Sequence, residues 1–177
     1  DADALTEING RHRIALAVLA MGGDPTAFGT AADGSKINLV ADSTYAYPGD
    51  LEEDTTNRMM YALVLLDAKG YPVPDDAKYT REGLLQMMLD RQNPESGGFG
   101  LTAGGEDLDI TSMTLQALAP YRDDEKVQKA IDAGLDFIQK QMDENGYYVA
   151  FGTDSSESLS MVILALCALG IDPDTDE

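Results

Sequence analysis

The sequence predicts an all-α fold built from helical hairpins. Three observations carry that prediction. Apolar residues recur at helical spacing in several segments, the segments are similar to one another at a period near 48 residues, and turn signals fall between them. No comparable strand alternation is present; Tyr147–Phe151 alone suggests a short extended piece.

Four segments are strongly apolar: Leu5–Met21, Glu52–Ala68, Asp109–Ala119 and Ser156–Leu169. Each has Ala-Leu at its centre, with an acidic residue eight positions earlier: Glu7, Asp54, Asp109 and Glu157. Those acidic residues recur at offsets of 47, 55 and 48. The last two copies align best, Met113-Thr-Leu-Gln-Ala-Leu on Met161-Val-Ile-Leu-Ala-Leu. The first two share Arg11 and Arg58 and a downstream Gly-x-Pro. Helices of a second type lie between. Val127, Ile131, Leu135, Ile138 and Met142 form one apolar stripe, opposite Lys126, Lys129, Asp132, Asp136, Lys140 and Asp143. Thr80–Arg91 resembles it, with Leu84, Leu85, Met88 and Leu89 on the apolar side. Helices buried on most sides therefore alternate with helices buried on one, which two layers would satisfy.

The breaks fit this order. Pro120 ends the third apolar helix near Ala119, and Gly170 with Pro173 ends the fourth. Asn93–Gly98 and Asp143–Gly146 are turns. Thr26–Pro48, rich in small and polar residues, predicts a long loop holding a short helix or turn.

Composition limits the partners. Of 177 residues, 44% are hydrophobic and 25% charged, which is the balance of a globular chain rather than a disordered one. The net charge of −20 disfavours nucleic acid and anionic membrane surfaces. The longest apolar run, Met161–Leu169, is half of the roughly 18 residues that a membrane span needs. Asp1-Ala2-Asp3 lacks the basic region of a signal peptide, so the chain reads as a mature or excised segment. Cys167 is the only cysteine, so no internal disulfide forms. Lying in an apolar run, it reads as a small buried hydrophobe.

Two turns share a pattern. Gln92 precedes Gly97 by five residues and Phe99 by seven; Gln141 precedes Gly146 and Tyr148 at the same spacing. The glycine permits a left-handed backbone past a helix end, the glutamine can bond orphan backbone groups, and the aromatic can pack on a neighbouring hairpin. Gln-x4-Gly-x-aromatic, followed by an acidic-capped apolar helix, resembles the repeat of squalene cyclases and protein prenyltransferases. In the squalene cyclases the aromatic is usually Trp, which this chain lacks. The segments from Thr80 to Tyr148 and from Ser155 to Pro173 look most like the prenyltransferase-like repeat domains of bacterial secreted and cell-wall-anchored proteins. Ile8–Pro25 and Thr55–Asp76 look similar too, so that the resemblance covers nearly the whole chain apart from about residues 26–48. The resemblance implies an α/α toroid, partial or whole, built from hairpin repeats of about 48 residues, in a single domain spanning 1–177. A full toroid has more hairpins than the three to four supplied here. The superfamily includes the cobalamin carriers transcobalamin and intrinsic factor.

The family's catalytic sets are incomplete. The squalene cyclases protonate an alkene with Asp-x-Asp-Asp, and the nearest match, Asp107-Leu108-Asp109-Ile110, lacks the third Asp. Asp107 and Asp109 also read as helix N-terminal caps. The prenyltransferase zinc needs Asp, Cys and His, but Cys167 and the lone His12 are far apart in sequence, and His12 reads as a surface or helix-face residue. The same ligands fail for lanthionine-synthetase cyclases, and the Cys-Gly-Glu-Gln of thioester domains is absent. There is no serine-triad signal. Asp172-Pro-Asp174-Thr-Asp176-Glu177 begins like a calcium loop but has no Gly at its sixth position and reads as an acidic tail. No metal or cofactor is expected.

A binding surface remains. In a toroid the recurring acidic positions would gather at one mouth, with Arg11, Arg58, Tyr61 and Thr111 in the same turns. The candidate ligand-binding residues are Asp54, Arg58, Tyr61, Asp107, Asp109, Thr111 and Glu157. The expected function is a non-catalytic binding module of an extracellular or cell-surface bacterial protein. It would take a small or medium-sized ligand, for which the kinship to cobalamin carriers suggests a corrinoid. The alternatives are a terpene-cyclase or prenyltransferase enzyme and a structural or adhesive spacer. Exposed inner-helix flanks would allow a homodimer.

Overall fold

A computed structural model describes residues 8–102, 104–150 and 153–174. Seven α-helices and two short antiparallel strand pairs make the described chain mostly helical, in line with an all-α class. It divides into two compact units, one of residues 1–54 and 58–86, the other of 55–57 and 87–177.

In the first unit, α1 (Ile8–Ala20) packs on α2 (Leu39–Ser43). The long loop between them holds a 3-10 turn at Pro25–Ala27, capped by Asp24, and the strand pair β1 (Gly29–Thr30) and β2 (Lys36–Ile37). Asn38 starts α2 by accepting the N–H of Ala41 at 3.0 Å. Then α3 (Thr56–Asp67) follows, its part from Arg58 onward in this unit. Met59, Met60, Ala62, Leu63, Leu65 and Leu66 are all buried, so α3 is covered on nearly every side as the sequence predicts. It begins four residues later than Glu52, because Asp50 accepts the Glu52 N–H at 2.9 Å and holds that stretch in a turn. Arg81, at the start of α4 (Arg81–Leu89), closes the α3 C-terminus. Its guanidinium pairs with Asp67 at 2.8 Å and donates to the carbonyls of Leu66 and Tyr71.

In the second unit, α5 (Leu108–Leu118) packs against both α6 (Glu125–Lys140) and α7 (Ser156–Leu169). Asp107 starts α5, Asp124 starts α6 and Ser155 starts α7, each through a side-chain oxygen on the first-turn N–H groups. Pro120 falls in a 3-10 turn, Ala119–Tyr121, that ends α5. Gly170 caps α7, whose last carbonyl also accepts from Arg122 at 2.6 Å. Strand β3 (Val149–Ala150) pairs with β4 (Thr153–Asp154), matching the extended piece expected there up to Ala150; Phe151 lies outside the described residues.

Helices α3 and α5 are buried on most sides as expected, but α1 and α7 are not: α1 buries only His12 and Ala15 among the residues whose burial is described. Helix α7 buries one stripe, Ser158, Val162, Ala165 and Leu169, while Leu159, Ile163 and Leu164 stand exposed. Cys167 is exposed as well, contrary to its reading as a buried hydrophobe. On α6, Val127, Ile131 and Ile138 are buried as expected, but Met142, just past the helix end, is 44% exposed.

Candidate functional site

The expected ligand-binding residues fall in three places. Asp54, Arg58 and Tyr61 belong to the first unit. Arg58 and Tyr61 stand one turn apart on α3, and the Arg58 guanidinium pairs with Asp54, just before the helix. His12 of α1 joins them, its ring stacked on Tyr61 with centroids 6.2 Å apart. The imidazole is fully buried rather than on a surface, which corrects the sequence reading. Its Nε2 lies 2.7 Å from the Ser43 carbonyl. A carbonyl only accepts, so the proton sits on Nε2 and Nδ1 carries the lone pair. That Nδ1 and the Nε of Arg58 are both buried with no partner among the described residues. Burial, opposed by the Ser43 bond and aided by the Arg58 charge, lowers the His12 pKa to about 4. A base so weak is neutral at pH 7 and poorly matched to proton abstraction there.

Asp107, Asp109 and Thr111 cluster at the start of α5. Asp107 is the N-cap, accepting from the Ile110 N–H at 2.8 Å. Thr111 is buried, and its hydroxyl accepts the Phe99 N–H at 2.9 Å, tying the preceding turn to the helix. Asp109 keeps one buried carboxylate oxygen without a partner among the described residues. Glu157 is exposed in the first turn of α7, where its carboxylate accepts from Ser156. Glu7 lies outside the described residues.

The turn motif divides sharply between its copies. Gln92 donates from Nε2 to the carbonyls of Gly97 at 2.8 Å and Ala130 of α6 at 2.7 Å. Phe99 is fully buried. In the second copy Tyr148 is also buried, yet Gln141 and Gly146 are exposed. Gln92→Ala leaves two buried carbonyls short of a donor and is expected to cost about 1–3 kcal/mol. Gln141→Ala is expected to stay within about 0.5 kcal/mol. Urea denaturation of the two variants checks this, and equal losses would sink it.

That second turn borders a cavity of about 620 Å3 between α6, α7 and the tail. Its walls are apolar, chiefly Ile138, Met142, Tyr148, Leu159 and Ile163, and its polar groups are Asp136, Gln139 and Asp174. None of the expected ligand-binding residues lines it; Gly146 and Tyr148, expected only to shape the turn, do. Burial raises the Tyr148 phenol pKa, so it stays protonated at neutral pH. Sequence pattern does not reveal this cavity, since an apolar stripe looks the same with or without a neighbour.

Among the described residues no group of three or more His, Cys, Asp or Glu is placed to hold a metal ion, and no helix is long and apolar enough to cross a membrane. In the acidic tail Asp172 accepts the Asp174 N–H at 3.0 Å; Asp176 and Glu177 lie outside the described residues. No family model matches the chain, nor does any curated protein or solved structure.

Proposed function

We propose that the chain is a non-catalytic binding module of a secreted or cell-surface bacterial protein, with the apolar groove beside α7 as its binding surface. The cavity between α6 and α7 carries this reading. Its volume, about 620 Å3, falls in the range of ligand sites, and its apolar walls with three polar groups suit an amphipathic ligand. A stiff spacer needs no such cavity. The fold that fits the reading is a partial or whole α/α toroid of hairpin repeats, for which the recurrence of Gln, Gly and aromatic in two turns is the support. Kinship to cobalamin carriers, through that resemblance, makes a corrinoid the first ligand to try.

The test is a thermal-shift screen with cobalamin, cobinamide, isoprenyl diphosphates and short glycans. A ligand at 100 times its dissociation constant adds about 2.7 kcal/mol to the native state. The expected result is a shift in the intact chain that Ile163→Asp removes, because that side chain lines the groove yet is 39% exposed. A shift that survives Ile163→Asp would move the site elsewhere. Turnover of an isoprenyl diphosphate would replace the binding reading with an enzymatic one.

A further inference from the structure

We infer that the groove beside α7 is a docking site for an amphipathic partner helix with a small-residue face and basic flanks. This rests on reading that groove as a binding surface, and it names the occupant. The warrant is the preceding copy of the same sequence pattern, whose groove is filled.

Helix α6 sits on four positions of the first copy. Gln92 donates to its Ala130 carbonyl. Gly97 approaches so closely that a Cβ there would lie 2.3 Å from the Ala133 carbonyl oxygen. Gly98 lies against the Phe137 ring, where an added Cβ would come within 2.8 Å. Leu115 lies against Gly134, whose added Cβ would come within 2.8 Å of it. The equivalent residues of the second copy are Gln141, Gly146, Tyr147 and Ile163. All four are exposed: Tyr147 by 53% and Ile163 by 39%, against 0% for Leu115. A Cβ on Gly146 would meet nothing within 4 Å. The second copy thus has the same kind of seat and no helix on it among the described residues.

The differences between the copies specify the occupant. Gln141 calls for a carbonyl left open by a small side chain, as at Ala130. Gly146 calls for a small residue over it, as at Ala133. Tyr147 stands where Gly98 does, so its ring takes the space of Phe137, and the occupant needs a small residue there too. Asp136 and Asp174 line the groove, which favours Lys or Arg along the edges of the helix. A second copy of this chain, at −20, is repelled.

The probe is a labelled synthetic peptide of residues 123–141 carrying Phe137→Ala and, to make its edge basic, Asp132→Lys and Asp136→Lys, stapled into a helix on its wet face. It is titrated against the full chain by fluorescence anisotropy. The expected result is saturable one-to-one binding, weakened at least about tenfold by Ile163→Asp or Gln141→Ala in the protein and by Ala133→Leu in the peptide. Both protein positions are exposed, and circular dichroism confirms that the variants keep their helices. Binding indifferent to Ile163→Asp would mean that the peptide displaces α6 from its own seat, and would overturn the inference. So would a dimer in sedimentation, abolished by Ile163→Asp, in a chain that ignores the peptide. A corrinoid shift without peptide binding overturns the helix and leaves the binding module standing. Silence from both overturns both.

Discussion

Gly97→Ala is expected to cost about 2–5 kcal/mol, and Gly146→Ala only about 1–2 kcal/mol, although both glycines occupy the same place in the turn motif. Their backbones are alike, with φ of +81° and +83°. In that left-handed region any other L-residue pays about 1–2 kcal/mol. The surroundings differ. A methyl group on Gly97 would fall 2.3 Å from the Ala133 carbonyl oxygen, a backbone atom in the middle of α6 that no side-chain rotation can remove. To make room, α6 must shift off the turn, weakening the Gln92 bond to Ala130 and opening the packing around Phe99 and Phe137. Overpacking of that kind adds about 1–3 kcal/mol. On Gly146 the methyl enters open space. Urea denaturation of the two variants separates the shared backbone cost from the cost of close approach. Equal losses would mean that α6 does not sit against Gly97 as tightly as described.

The helices were legible because period and punctuation agree. Ser156–Leu169 spans the same residues in sequence and structure, since Ser155 caps one end and Gly170 the other. Burial was less legible. Leu115 and Ile163 hold equivalent places in nearly matching strings, yet the first is fully covered and the second is 39% exposed. Only the presence of α6 on one and not the other distinguishes them, and a string of residues does not record its neighbours. The acidic positions show the same limit. Asp107 caps as its residue type suggests, while Asp54, eight residues before an Ala-Leu like Asp109, stands outside its helix and pairs with Arg58. His12 was hidden by its flanks. Arg11 and Arg13 give it a polar context, and its burial comes from α2, which lies in the weakly periodic loop and packs Leu39, Val40 and Ser43 inward.

Acid is expected to loosen the chain through His12 before its carboxylates matter. The imidazole has a folded pKa of about 4 against 6.5 unperturbed. Between those values the unfolded chain binds a proton that the folded chain refuses, so stability rises with pH across the window and falls as pH drops through it. The full difference, reached below the folded pKa, is about 3 kcal/mol, and about 2–3 kcal/mol is already lost at pH 4.5. The cause is the site itself: a protonated ring would stand buried beside the Arg58 guanidinium, with only the Ser43 carbonyl in its favour. The carboxylates whose pKa values are displaced, Asp24, Asp33 and Asp143, are all lowered from 3.8 and titrate below the window. Relief of the general negative charge acts in the opposite sense, but it is common to wild type and variant. His12→Gln keeps a donor for the Ser43 carbonyl and cannot titrate. The difference in unfolding free energy between wild type and His12→Gln should therefore change by about 2–3 kcal/mol from pH 7.5 to pH 4.5, in favour of the variant as pH falls. A difference that stays constant over that range would mean that His12 takes up its proton in the folded chain, and that the space around Nδ1 is wet.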